Sequence, residues 1–256
     1  MDPAYVATHV EEEERHWWFL GRQAVLRSVL RSTLPPGRLR LAEIGCGGGA
    51  FLAAAAEFGE VVGVEASGDF LEVARRRGFT VLPGALPDQL PLDPGSCDAV
   101  LLFDVLEHIE EDRATLRAVG RVLKPGGLLI CTVPAYPWLW SPHDEVLGHR
   151  RRYTARGLAR VAREAGLHPL RTTYFNTILA LPIVMARLIG RWRTHVTHAF
   201  AWVPRAGTRP GHDLSRLAPP LNTVLAQVFS LEAGLLRWAN LPFGISVLMV
   251  ARRPSP

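Results

Sequence analysis

The sequence predicts a doubly wound α/β fold built on a seven-stranded, mostly parallel sheet. Two observations carry that expectation. Short apolar runs alternate with helix-like segments along most of the chain, and a glycine-rich turn follows the first of those runs. The length sets the scale: 256 residues, 48% of them hydrophobic, can bury a sizeable core without metals or disulfides.

The elements follow in order. Residues 9–33 read as helix, with Trp18, Val25, Val29 and Leu30 near helical spacing and Pro35-Pro36-Gly37 as the stop. Residues 39–45 (LRLAEIG) form a short apolar strand ending at glycine, and 49–58 an Ala-rich helix closed by Gly59. A second strand (61–66), a helix (68–77) stopped by Gly78 and a third strand (79–84) come next. The fourth strand, 97–104, is a buried apolar run; helix 111–123 leads through Pro125-Gly126-Gly127 into the fifth, 128–134. Thr154 is the expected N-cap of helix 154–165, and strands 168–175 and 245–252 complete the set. Residues 176–242 break the alternation with two apolar helical stretches, around 177–192 and 220–239, separated by a Pro/Gly/Arg-rich segment, 203–220. The chain is therefore divided into 1–38 (N-terminal helical lid), 39–175 (α/β core), 176–242 (helical insertion) and 243–256 (last strand and tail).

Composition excludes several classes. The net charge is +5, which can mean a nucleic-acid, phosphate or membrane partner, but Arg far outnumbers Lys, and compositional bias accounts for the balance more simply. Cys46, Cys97 and Cys131 are odd in number and widely spaced, which fits a reducing cytoplasm rather than a disulfide framework. The acidic N-terminus has no apolar signal core, and the apolar stretch from Ile178 to Ala186 is too short to span a bilayer.

The chemistry is concentrated in Glu43-Ile44-Gly45-Cys46-Gly47-Gly48-Gly49, between the first strand and its helix. Glycines let the backbone turn tightly and approach a ligand, and open α/β sheets bind ligands at the carboxyl ends of their strands. Glu65 ends the next strand, where a carboxylate can accept hydrogen bonds from both ribose hydroxyls. The glycine pattern alone also satisfies a dinucleotide fingerprint. Glu43 favours the other choice: its charge repels a pyrophosphate and suits the ammonium of a methionine moiety near a cationic sulfonium. Asp104-Val105-Leu106-Glu107-His108 follows the fourth strand, and Leu123-Lys124-Pro125-Gly126-Gly127 precedes the fifth.

Together AEIGCGGG, GVEAS, CDAVLLFDVLEHI and VLKPGGLLI resemble the successive motifs of class I S-adenosylmethionine-dependent methyltransferases, over about residues 39–175. The resemblance implies a Rossmann-like fold, S-adenosylmethionine as donor and S-adenosylhomocysteine as product. It places Glu43, Gly45, Cys46 and Gly47 around the donor's methionine part, Glu65 on the ribose, and Ala66, Ser67, Ala85 and Leu86 beside the adenine. Asp104 and Val105 line the sulfur, and His108 supports the donor loop. The family's usual polar residue after the third strand is missing, so Ala85 and Leu86 contact the base through backbone and apolar surface alone. His16-Trp17-Trp18-Phe19-x-Gly21-Arg22 resembles a lid helix in a bacterial subset, which implies that Arg22 pairs with the donor carboxylate and Trp18 closes the pocket. An aromatic stripe packed on the sheet accounts for the same residues equally well.

The loop after the fifth strand should lie beside the transferred methyl. It carries Tyr136, Trp138 and Tyr153 to pack an apolar acceptor, Arg151 within Arg150-Arg151-Arg152 to hold an anion, and His149 and then His143 as candidate bases. His143, Asp144, Glu145 and His149 do not have standard zinc spacing; they are expected to cap and brace the loop, and no metal is expected. In the insertion, apolar helices flanked by Arg187, Arg191, Arg193 and Arg216 suit an anionic bilayer, a homodimer interface or an acceptor pocket. The expected activity is methyl transfer to a small, apolar or lipid-like or natural-product acceptor, at oxygen before nitrogen or carbon. Asp104-Val105-Leu106-Glu107 is not the Asn-Pro-Pro-Tyr type that faces a flipped base, so no nucleic-acid partner is expected. A donor-binding partner protein without turnover and a dehydrogenase are the competing classes.

Overall fold

A computed structural model describes residues 3–181, 184–185 and 218–255 of the chain. Seven strands form one sheet: β1 (Leu39–Ile44), β2 (Gly59–Glu65), β3 (Val81–Pro83), β4 (Cys97–Phe103), β5 (Leu123–Pro134), β6 (His168–Phe175) and β7 (Ser246–Arg252). Their order is β3-β2-β1-β4-β5-β7-β6. The first five run parallel, and β7 is antiparallel to both β5 and β6.

Both faces of the sheet are buried, as near-continuous apolar runs require. The period-2 alternation of strand side chains divides the core in two. On one face Ala42, Ile44, Val100, Leu102, Leu129 and Cys131 pack with Leu116 and Val119 of α5 (Asp112–Val122) and Leu158 and Val161 of α7 (Ala155–Glu164). On the other, Leu41, Ala99, Leu101, Ile130 and Val250 meet Val25, Leu26, Val29 and Leu30 of α2 (Trp17–Thr33). Thr154 caps α7 as expected, its hydroxyl accepting the Gly157 N–H at 3.0 Å.

Two expected helices differ in detail. The segment 9–33 is two helices, α1 (Pro3–Arg15) and α2, because His16 takes an extended conformation. Its Nδ1 accepts the Trp18 N–H at 3.3 Å and so opens α2 as an N-cap. The helix expected from residue 49 is reduced to α3 (Leu52–Ala55) and a 3-10 turn over Ala56–Phe58. Gly47 and Gly49 hold φ of +54° and +80°, which a right-handed helix cannot contain. The remaining helices are α4 (Gly68–Arg76), α6 (Pro142–Val146), α8 (Pro219–Ser230) and α9 (Glu232–Leu235). Most of the helix expected over 177–192, with Arg187, Arg191 and Arg193, and most of segment 203–220, with Arg216, lie outside the described residues. Among those described, no helix is long and apolar enough to cross a membrane.

The N-terminal helices and the insertion, far apart in sequence, form one layer. Asn222 accepts the Trp17 N–H and donates to the Arg15 carbonyl, each at 2.8 Å, joining the α1–α2 corner to α8. Ser28 donates to the Ala233 carbonyl at 2.8 Å. Buried Glu232 accepts the N–H groups of Thr177 and Ile178 at 2.7 and 2.8 Å and ties α9 to the end of β6. Where α2 crosses α8, Gly21 lies against Phe229, and a Cβ there would sit 2.6 Å from Phe229 Cβ. Replacing a helix-interior glycine with alanine ordinarily gains ~1 kcal/mol. Here Gly21→Ala is expected to lose about 1–3 kcal/mol through overpacking, read as a lower urea midpoint with unchanged slope.

Candidate donor and acceptor site

The strand order reverses between β1 and β4, so the connections from these neighbouring strands leave to opposite sides and open a crevice at their carboxyl ends. The glycine loop enters it from β1. Gly45, with φ +73°, turns against Val105, whose side chain occupies the space a Cβ would need. The Gly45 N–H donates to the Val64 carbonyl at 2.7 Å, which fixes the loop to β2. Glu65 then organises the far side: its two oxygens accept the Gly47 and Ser67 N–H groups at 2.9 and 2.8 Å. Each oxygen retains further acceptor capacity for a hydroxyl.

Glu43 is 4% exposed, and its Oε2 has no hydrogen-bond partner among the described residues. Burial, opposed by Arg22 and reinforced by Glu13 and Glu65, pushes its carboxyl up to about 8. A buried, unsatisfied acceptor is costly, and it fits a cationic group arriving beside the loop. Arg22 comes down from α2 and forms an ion pair with Asp104, while its guanidinium lies 5.3 Å from the Trp18 ring and 5.6 Å from the Phe103 ring. Asp104 holds φ +56°, and its carboxylate accepts the Thr132 hydroxyl at 3.2 Å. The crevice thus collects Trp18, Arg22, Glu43, Gly45, Gly47, Glu65, Ser67, Asp104 and Val105.

Three further expectations need adjustment. Cys46 turns its sulfur away from the crevice to pack with Leu52, Leu71, Ala74 and Val81, and burial raises its thiol pKa, so only its backbone is offered to a ligand. Ala85 exchanges both backbone hydrogen bonds with Gln89, at 3.0 and 2.8 Å, so its N–H is not available to a base. Leu86 packs against the main core. Ala66, by contrast, is exposed beside Glu65.

A feature that the sequence did not reveal lies over the glycine loop. Glu13 of α1 approaches the position of a Gly47 Cβ to 3.3 Å, and Arg77, near Glu13 at 3.7 Å, donates to the Gly48 carbonyl at 2.6 Å. The acidic run 11–14 reads as a solvated helix face; only the tertiary arrangement aims one member at the loop.

The loop after β5 is held by Asp144, which is fully buried. It accepts two hydrogen bonds from Arg152 (2.8 and 2.9 Å), the Ser141 N–H and hydroxyl (2.8 and 3.1 Å) and one from His149 Nδ1 (2.7 Å). Burial alone would raise its pKa, but the hydrogen bonds from His149 and Arg152 reverse this and hold it well below the usual carboxylate range. An ionised carboxylate can only accept, so His149 carries a proton on Nδ1, and in the neutral ring the lone pair is on Nε2. The bracing expected of this loop is therefore provided by Asp144, through a capping box with Ser141. His143, in α6, is half-buried and is not part of this group.

The three arginines divide. Arg152 is buried on Asp144, Arg151 pairs with Glu110 and Asp112 at 3.2 Å each, and exposed Arg150 lies 3.8 Å from Glu110. Arg151 is thus spoken for as an anion ligand. Tyr153 belongs to the core and not to the exposed aromatic face of the loop: it is 5% exposed and its hydroxyl donates to Asp112 at 3.2 Å. The apolar wall is formed by Tyr136, stacked on Tyr174 and Phe243 with centroids at 5.0 and 5.5 Å, and by half-exposed Trp138 at 5.5 Å. Tyr174 and Phe243 lie in or beside distant strands, so no local pattern pointed to them.

Asp144→Asn keeps the shape but leaves Arg152 buried without a counter-charge, and is expected to cost about 3–5 kcal/mol in urea unfolding. Because the folded-state pKa of Asp144 is depressed, its contribution is present at neutral pH and is lost on acidification. The gap between wild type and variant should therefore narrow below about pH 4.

Comparison with known proteins agrees with this fold. Residues 42–131 match a family model described as a methyltransferase domain. A ubiquinone biosynthesis O-methyltransferase of Cereibacter sphaeroides is 37% identical over 109 residues, 40% of this chain and 44% of that protein. The chain thus spans less than half the length of this relative. Among solved structures, the methyltransferase member of a complex with the Haloferax volcanii Trm112 activator superposes with a TM-score of 0.62 at 21% identity, covering 99% of this chain and 96% of that one. A SAM-dependent methyltransferase of Thermotoga maritima gives 0.58 at 20% identity, covering 97% of both. At these identities the structures attest the fold.

Proposed function

On the premise that this chain belongs to the class I S-adenosylmethionine-dependent methyltransferases, we propose that it methylates an oxygen of a small, apolar or lipid-like acceptor. The observation that carries this reading is Glu43, a buried carboxyl with one oxygen unpartnered among the described residues, beside a glycine loop whose neighbouring strand ends in Glu65. S-adenosylmethionine, when bound, supplies a methyl group on a cationic sulfur. Glu43 then receives the ammonium, Glu65 the ribose hydroxyls, and Arg22 exchanges Asp104 for the donor carboxylate, leaving Asp104 beside the sulfur.

The acceptor enters against Tyr136 and Trp138. Tyr174 and Phe243 back this wall, and together the rings would hold an apolar ring or chain; positioning supplies much of the rate of a direct displacement. His149, oriented by Asp144, presents Nε2 to take the hydroxyl proton. The Cereibacter relative, by name an O-methyltransferase of ubiquinone biosynthesis, supports oxygen and an apolar ring. Residues 1–38 read as a lid over the donor, 39–175 as its platform and 176–242 as an insertion that helps shape the acceptor side. Exposed Leu231, Leu235 and Trp238 support an apolar contact by that insertion with a second surface, a partner copy or a bilayer.

Calorimetry tests the donor. S-adenosylmethionine should bind and NAD should not, and Glu65→Ala should weaken donor binding at least tenfold. NAD preference would overturn the reading. Glu43 adds a pH signature. At pH 7 it is mostly protonated without ligand, and an adjacent ammonium lowers its pKa, so binding should release up to one proton, seen by comparing buffers of different ionisation enthalpy. Glu43→Gln should abolish that release. Binding without methylation of any phenol, quinol or lipid hydroxyl would indicate a donor-binding protein without turnover.

A further inference from the structure

The 3-10 turn after β4, Leu106–His108, and the loop after β5 bring three ligand-type side chains together outside the donor cradle. The carboxylate of Glu107, a ring nitrogen of His108 and a ring nitrogen of His149 all lie within 4.8 Å of one another. We propose that Glu107, His108 and His149 bind a divalent transition-metal ion that holds the acceptor oxygen. The proposal rests on the methyl-transfer reading only for that last clause; the site itself does not.

Three independent features support it. Glu107 is 1% exposed, and neither carboxylate oxygen has a hydrogen-bond partner beyond its own residue among those described. A buried carboxyl with both oxygens unsatisfied is a position that a bound cation would complete. Second, both imidazoles have the outer support that metal-bound histidines usually have. His149 donates Nδ1–H to ionised Asp144 at 2.7 Å, which aims Nε2 away from that carboxylate. His108 is hydrogen-bonded to the backbone of Gly148. Third, the two rings meet edge to face with centroids 4.8 Å apart, converging rather than splayed.

The ligand set selects the ion. Two nitrogens and one carboxylate suit zinc or another first-row ion better than magnesium or calcium, which prefer oxygen. Ligands about 2.0–2.2 Å from zinc stand roughly 3.5 Å apart, so the three need to close by about 1 Å, within reach of side-chain rotation. Three protein ligands leave a position open, as in catalytic rather than structural sites. An acceptor hydroxyl in that position becomes more acidic and loses its proton to solvent. His149 then serves as a ligand; without the ion it is the base. The sequence grouped His149 with His143, Asp144 and Glu145, a set without standard zinc spacing; the fold instead brings it to Glu107 and His108, some 40 residues earlier in the chain.

Equilibrium dialysis of chelator-treated full-length protein against Zn²⁺ tests the site. One Zn²⁺ per chain is expected, with Glu107→Gln and His149→Gln each weakening binding at least tenfold and His168→Gln leaving it unchanged. Co²⁺ should give a visible ligand-field spectrum that the first two variants lose. Substoichiometric binding, or binding retained by both variants, overturns the site. Should a variant fail to fold, wild-type protein decides: Zn²⁺ should protect His108 and His149 from diethyl pyrocarbonate while exposed His168 still reacts, and equal modification with and without Zn²⁺ overturns it. Donor calorimetry on the same samples separates the two readings. S-adenosylmethionine binding without Zn²⁺ binding discards the metal site alone. Zn²⁺ binding without S-adenosylmethionine binding keeps the site and discards methyl transfer.

Discussion

Reversal of strand order between β1 and β4 is the constraint on which the rest of this molecule depends. Two parallel neighbours whose connections leave to opposite faces cannot both be roofed by the same helix, so their carboxyl ends stay open. Glu43, Glu65 and Asp104 stand at or next to the ends of β1, β2 and β4. Their mutual proximity is therefore a property of the sheet register, not of any loop. The glycine loop adapts to this opening; its positive-φ residues let the chain turn within the crevice without side chains that would fill it.

The second theme is incomplete neutralisation. Asp144, among the described residues, is neutralised on every side, by Arg152, His149 and Ser141. The carboxyls around the crevice are not. Glu43 and Glu107 are both buried, both displaced toward the neutral form, and both have carboxylate oxygens without partners. Such groups destabilise an unliganded fold, and both lie within electrostatic reach of Arg22. The cost is borne where cations would be received: an ammonium at Glu43, a metal ion at Glu107. Asp144 links this chemistry to the fold, because the same carboxylate that anchors the loop also sets the tautomer of His149.

The sequence made much of this legible. Long apolar strands buried on both faces and helices stopped by glycine gave the seven elements of the sheet within a residue or two, except at the start of β5. The glycine loop was equally readable, since Glu43, the glycines and Glu65 are close in sequence and their spacing reports their geometry. The acceptor side was read less well. Tyr153 and Arg151 looked like site residues because they are aromatic and basic in a variable loop. Their partner, Asp112, lies about 40 residues earlier and is invisible to local pattern. Glu107 passed as part of a motif because its burial is set by β5 and the following loop, not by its neighbours in the chain.

What the sequence determined by itself is the fold class, the glycine loop and the charge beside it, because these depend on backbone periodicity and on residues within one strand-turn-helix unit. What only the tertiary structure decided is which distant groups meet: Asn222 with the α1–α2 corner, Glu13 with the glycine loop, and His149 with His108 and Glu107. Periodicity shows which face of an element is buried. It carries no information about what that face is buried against, because packing is settled by the complementarity of surfaces that the chain brings together only on folding.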